Sequence, residues 1–136
     1  MADAGYSKTP LLKKLGIRPE MKILLFNQPQ QYAAWLQTDI RDQLVRKSQL
    51  PDLIHIFSKN SKEFIRVMKK ILPMVKKNSS LIIWVSWYKK SSGMNTDLTE
   101  DFIRKFAIEN GLVDIKVCAV DDVWSGLKLV VPLSKR

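Results

Sequence analysis

The side chains with the most chemistry to offer sit in two loops in the second half of the chain. Lys89-Lys90-Ser91-Ser92 gathers two ammonium groups and two hydroxyls. Gly93 follows, free to take an unusual turn, and Thr96 opens a helical pattern whose amides point outward. That set suits a phosphate or a carboxylate. Against it stands the plainer reading of a hydrated surface loop, since charged loops are most often only solvated. Asp97 favours the plainer reading: as the expected helix cap, with Glu100 three residues on, its carboxylate would occupy the amides that an anion needs. The second loop, Asp121-Asp122-Val123-Trp124-Ser125-Gly126, carries two carboxylates, an indole and a hydroxyl. A desolvated carboxylate pair can do acid–base work, but adjacent aspartates at a turn more often cap backbone groups. No residue is assigned a catalytic role.

The remaining reactive side chains are few. His55, the only histidine, lies inside an apolar run and reads as a buried, hydrogen-bonded core residue. No serine or cysteine stands beside it in sequence to make a nucleophilic pair. Cys118, the single cysteine, excludes an internal disulfide and reads as a core thiol in a reducing compartment. One histidine and one cysteine leave no conventional metal set, and no metal or other cofactor is expected. Trp87 and Tyr88, next to two lysines, look like a stacking platform for single-stranded nucleic acid. Trp84 and Trp87 are an odd number of residues apart, so a strand sends them to opposite faces, and Trp84 reads as core.

The net charge of +10 is uneven. Residues 58–96 hold nine bases and one acid, whereas residues 97–136 hold six bases and seven acids. Such a field favours an anionic ligand, nucleic acid or an acidic protein. No zinc-finger, ribonucleoprotein or Gly-x-x-Gly motif accompanies it. No apolar run is long enough to cross a bilayer and the N-terminus has no signal-peptide core, so the expected location is the cytoplasm.

These residues need elements to hold them. The first 19 residues read as an N-terminal arm with a short helix at 10–15, and residues 20–136 as one α/β domain. MKILLF (21–26), DLIHIFS (52–58) and LIIWVSW (81–87) are apolar runs of buried-strand type. Residues 30–37 suggest a short helix, and residues 40–47 stay open between an irregular segment and a weak edge strand around 43–46. Phe64, Met68, Ile71 and Val75 recur at helical spacing, with Ser61 as expected cap and Pro73 as expected kink. The lysines of that helix face elsewhere and read first as a solvated face. Leu98, Phe102 and Phe106 mark another helix, which Asn110-Gly111 stops. VDIKVCAV (113–120) alternates, Asp121-Asp122 turns the chain, and WSGLKLVV (124–131) returns antiparallel. Alternating strands and helices predict a three-layer Rossmann-like domain with a mostly parallel sheet of five or six strands and a C-terminal antiparallel hairpin.

The segments VSWYKKSS, TDLTEDFIRKF and NGLVDIKVCAVDDVWSGLKLV, with GYSKTPLLKKLGI before them, resemble a bacterial family of small proteins known as a domain of unknown function. The element order is similar to that of S-adenosylmethionine methyltransferases, which implies their fold. Such folds place glycines in the first strand-to-helix turn so that the backbone can approach the cofactor. Here that turn is Asn27-Gln28-Pro29-Gln30, with no glycine and with a proline that removes a donor. Asp39 and Asp42 fall too early to hold a ribose. The expected function is therefore a non-catalytic binding or adaptor domain that recognises an anion at 89–92 and Thr96, with Asp121, Asp122, Trp124 and Ser125 nearby. The alternatives are a methyltransferase-like enzyme with a divergent cofactor loop and a protein that binds nucleic acid by charge.

Overall fold

The computed structural model describes residues 9–46 and 48–136. Among them five strands are formed: β1 (Ile23–Phe26), β2 (Leu53–Phe57), β3 (Ile82–Tyr88), β4 (Val113–Ala119) and β5 (Trp124–Val130). They make one sheet in the order β1-β2-β3-β5-β4. The first three are parallel, and β5 returns antiparallel between β3 and β4. This is the mostly parallel Rossmann-like sheet with a closing hairpin that the apolar runs predict. The four helices are α1 (Leu11–Leu15), α2 (Tyr32–Leu36), α3 (Ser61–Lys77) and α4 (Glu100–Glu109).

Period-two alternation along each strand sends neighbouring side chains to opposite faces. Leu24, Ile54, Ile56, Ile83, Val85 and Trp87 go to one face, where Phe64, Met68 and Ile71 of α3 and Ile103 and Ala107 of α4 cover them. Ile23, Leu53, Phe57, Trp84, Tyr88 and Trp124 go to the other, under α1 and α2. Trp84 and Trp87 are thus on opposite faces, as their spacing requires. Leu11, Leu15 and Ile17, in the segment that reads as an arm, are buried in this second layer. The Trp84 indole N–H donates to the Leu15 carbonyl at 2.9 Å. Residues 1–8 of that segment lie outside the described residues.

Several local expectations are corrected. The weak strand at 40–47 is a 3₁₀ turn, Arg41–Gln43, followed by a single parallel bridge from Leu44 to Ile23. With Leu44 and Val45 only partly covered and no further strand outside them, the pairing stops there; Lys47 lies outside the described residues. The helix at 62–77 is capped by Asn60, whose extended backbone turns its side chain to accept from the Glu63 amide at 2.8 Å. It also runs through Pro73, which sits on the exposed side of the helix, where the ring and the missing donor do not disturb the core. Among the described residues no helix is long and apolar enough to cross a membrane.

The chain leaves β1, forms α2, touches the outer edge of β1 at Leu44, and then crosses back to form β2 on the inner edge. That reversal makes β1 a topological switch point. Ligands of open α/β sheets bind outside the carboxyl ends of the strands at such a point.

Candidate functional site

Beside the switch point an aromatic cluster covers the ends of β2, β3 and β5, while the first turn itself, at Gln28, Pro29 and Gln30, lines an open groove. Phe57 ends β2, Tyr88 ends β3 and Trp124 begins β5, so all three reach the same end of the sheet. Their rings pack edge-on or tilted, with Phe57 to Trp124 centroids 5.0 Å apart and Tyr88 to Trp124 4.5 Å apart. Tyr32, from the start of α2, adds a fourth ring 5.6 Å from Phe57. Asn27, at the first turn, has φ 59°, the left-handed region where a cofactor-binding turn normally has glycine. That feature suits a cofactor turn. The rest does not: Pro29 lacks a donor, the turn has no glycine, and none of the described residues between Leu44 and Pro51 is a carboxylate that could hold a ribose. The residues present do not fit S-adenosylmethionine.

Two cavities flank this cluster. One, of about 780 Å³, opens at the carboxyl end of β3 on the α4 side. Trp87, Met94 and Leu98 supply apolar surface, and Lys89, Lys90, Ser91, Thr96 and Ser125 supply polar groups. Of the second predicted loop only Ser125, in the first residues of β5, lines this cavity; Asp121, Asp122 and Trp124 do not. The Lys89 amide donates to the Val123 carbonyl at 2.8 Å, which ties one loop to the other. Ser125 faces the cavity because its cross-strand partner is Trp87. Ser92, by contrast, braces its own loop: its hydroxyl donates to the Lys89 carbonyl at 2.6 Å and accepts from the Met94 amide at 3.1 Å.

The expected cap at Asp97 is also corrected, and in a direction that matters for the site. Thr99 is the N-cap of α4, its hydroxyl accepting from the Phe102 amide at 3.1 Å. Asp97 turns away to Ser61 at the start of α3, accepting from its amide at 2.8 Å and from its hydroxyl. Those bonds hold the Asp97 carboxyl below the usual range. Two carboxylates remain on the rim, Glu100 and Asp101, and both are directed at Arg104 one turn along.

The Asp121 and Asp122 pair is not a desolvated dyad. Asp121 accepts from the Val123 and Trp124 amides at 2.9 and 2.8 Å, while Asp122 is exposed at the turn. Trp124 belongs to the aromatic cluster. The second cavity, a groove of about 760 Å³, runs beside α2 along the outer edge of β1, past Leu25, Ala33, Ile40 and Leu44. The exposed Asp39–Arg41 pair sits on its rim, 2.9 Å apart.

Sequence reading missed one constellation. The His55 imidazole bonds the Tyr32 hydroxyl through Nδ1 and the Ser86 hydroxyl through Nε2, both at 2.8 Å. Parallel pairing of β2 with β3 brings the histidine and the serine together from 31 residues apart. Burial pushes the imidazole down to about 3 and raises the Tyr32 phenol well above its ordinary value. A neutral imidazole has one N–H and one lone pair, so both ring nitrogens are satisfied. His55 and Ser86 have no exposed surface, and Phe57 stacks on the ring at 4.4 Å. The chain of three is a core network, and Ser86 has no path to a substrate. Among the described residues no group of three or more histidine, cysteine, aspartate or glutamate side chains is placed to hold a metal ion.

No family model matches the chain, and no curated protein does. Solved structures are similar to it at the level of fold. A tRNA (m1A22) methyltransferase candidate from Streptococcus pneumoniae matches with a TM-score of 0.58 at 8% identity, over 92% of this chain and 71% of that one. A ribosomal protein L11 methylase from Lactobacillus delbrueckii subsp. bulgaricus matches with a TM-score of 0.52 at 15% identity, over 88% of this chain and 74% of that one. The Bacillus subtilis M1A22 tRNA methyltransferase matches with a TM-score of 0.51 at 9% identity, over 94% of this chain and 68% of that one. The chain has a methyltransferase-like Rossmann fold.

Proposed function

We propose that this chain is a binding domain on a methyltransferase-like scaffold, and that it recognises an anionic ligand in the cavity at the carboxyl end of β3. One observation carries the reading: the loop after β3 and the start of β5 bring Lys89, Lys90, Thr96 and Ser125 around a single cavity that Trp87, Met94 and Leu98 also line. Lysines and apolar side chains around one cavity suit an anion attached to an apolar or aromatic body, such as a nucleoside monophosphate. A first turn without glycine and with Pro29 favours binding over methyl transfer.

A second reading has a specific observation behind it. The left-handed Asn27 and the likeness to methyltransferases favour an S-adenosylmethionine-dependent enzyme with a divergent first turn. The two readings separate in a thermal-unfolding titration with adenosine monophosphate and with S-adenosylmethionine, because a ligand of the folded state raises the midpoint. The first predicts a shift with the monophosphate that the Lys89→Ala/Lys90→Ala double variant abolishes. Binding of a nucleic acid driven by charge alone is only weakened by that variant, because the other lysines remain. A monophosphate shift that survives the double substitution removes the loop from the site.

A further inference from the structure

The hairpin that closes the sheet carries an unexplained cost. Lys116 on β4 is the direct cross-strand partner of Lys128 on β5. Residues directly opposite share a face, and like charges in that position destabilise a sheet. A register shift between Asp114 and Lys116 produces the pairing: it leaves Asp114 on the α4 side, bonded to Arg104 at 2.9 Å, and turns Lys116 to the α1 side. Among the described residues neither Lys116 nor Lys128 is paired with a carboxylate. Lys128 is only partly exposed, and desolvation, with Lys116 as the second cause, pulls its ammonium down.

Further cations gather on the same face. Lys14 of α1 reaches across the sheet and donates to the Ala119 carbonyl at 3.1 Å. Lys116 in turn donates to the Lys14 carbonyl at 3.5 Å. Gly126, beside Lys128 on β5, is buried, and a Cβ there would stand 3.2 Å from the Cys118 sulfur and 3.3 Å from the Trp84 ring, so Cys118 packs tightly over it. The Cys118 thiol is next to this group of lysines. Burial raises it, and Lys14, Lys116 and Lys89 pull it back down.

We propose that Lys116 and Lys128, with Lys14 beside them, form a phosphate-binding site on the α1 face of the β4–β5 hairpin, distinct from the cavity at the end of β3. Three compact ammonium charges suit a phosphoryl group, whose charge is concentrated on a few oxygens. They are a poorer match for a planar carboxylate, which takes a guanidinium fork better. A bound phosphate offsets the repulsion between the paired lysines. The phosphoryl group comes either from a small compound or from a nucleic-acid backbone.

Thermal unfolding of the full chain in sodium pyrophosphate, against sodium chloride of matched ionic strength, tests this. The expected result is a higher midpoint in pyrophosphate alone, reaching several degrees at saturation. In the Lys89→Ala/Lys90→Ala background, which removes the β3 cavity as a competing anion site, Lys116→Gln and Lys128→Met each abolish that difference. Neither lowers the midpoint in the absence of phosphate, because each relieves the repulsion. Alkylation of Cys118 gives a second readout: pyrophosphate slows it in the parent chain and not in Lys128→Met, since a bound anion cancels the cations that favour the thiolate. Lys89→Ala/Lys90→Ala keeps the pyrophosphate shift, so loss of the β3 cavity reading does not remove this one. A short oligonucleotide that protects Cys118 when pyrophosphate does not assigns the phosphoryl group to a nucleic-acid backbone. Equal midpoints in pyrophosphate and chloride, with Cys118 unprotected by either phosphate source, overturn the proposal. So does a shift that both lysine variants retain in the Lys89→Ala/Lys90→Ala background.

Discussion

The two faces of the sheet are built on different principles. The α3/α4 face is uniformly apolar: Leu24, Ile54, Ile56, Ile83 and Val85 meet Phe64, Met68, Ile71 and Ile103 with little polar interruption. The α1/α2 face buries a tyrosine–histidine–serine chain, packed aromatic rings and an indole hydrogen bond to α1, and carries a partly buried thiol and a pair of opposed, partly exposed lysines. An apolar face needs only volume and shape. A polar interior needs each donor matched to an acceptor, and fixes which arrangement is unique. The first face makes the domain stable, while the second specifies how α1 and α2 sit on the sheet.

Substitutions on the two faces break in different ways. Phe64→Ala has the largest expected effect. The ring is fully buried between α3 and the sheet, with edge contacts to Phe106 and Phe102 at 5.2 and 6.2 Å. Its removal costs about 3–5 kcal/mol in denaturant unfolding, with no change in the pH dependence of stability.

His55→Phe costs less, about 2–4 kcal/mol, because it leaves the Tyr32 and Ser86 hydroxyls buried without partners. It also changes the pH profile. The folded imidazole titrates near 3 while the unfolded one titrates near its ordinary value of 6.5. Between those values the unfolded chain binds the extra proton, so the contribution of His55 is complete above the unfolded value. It is lost steadily as pH falls toward the folded value, at up to about 1.4 kcal/mol per pH unit. The His55→Phe chain lacks that slope. An unchanged acid limb would show that the imidazole is not held neutral.

Ser58→Ala has the smallest effect. This serine follows β2, is fully buried, and its hydroxyl has no partner among the described residues. Removing an unmatched hydroxyl leaves stability unchanged or raises it by up to about 1 kcal/mol. A loss of stability would mean that the hydroxyl is bonded in solution.

The same contrast explains what could be read from the chain. The apolar runs and their helical spacing gave the sheet, its hairpin and α3 and α4, because burial alone sets those patterns. What depended on tertiary contact was not legible. Asp97 has the form of a helix cap, yet Ser61, 36 residues away, takes its carboxylate and Thr99 caps α4 instead. His55 and Ser86 meet only through strand register. Lys116 and Lys128 share a face only because the hairpin shifts register at Asp114, and nothing local in VDIKVCAV marks that shift. At the β3 cavity the polar loop residues were visible as a set with the second loop beside them, but that Ser125 alone of that loop lines the cavity depends on its pairing with Trp87.

The central claim is that the methyltransferase-like scaffold binds an anion at the end of β3 and does not take up a methyl donor at the switch point. Calorimetric titration of the full chain with S-adenosylmethionine, and separately with adenosine monophosphate, tests it most directly. The account predicts no heat of binding for S-adenosylmethionine and saturable binding of the monophosphate that Lys89→Ala/Lys90→Ala removes. Stoichiometric binding of S-adenosylmethionine that Asn27 substitutions weaken and the lysine substitutions leave intact would contradict it.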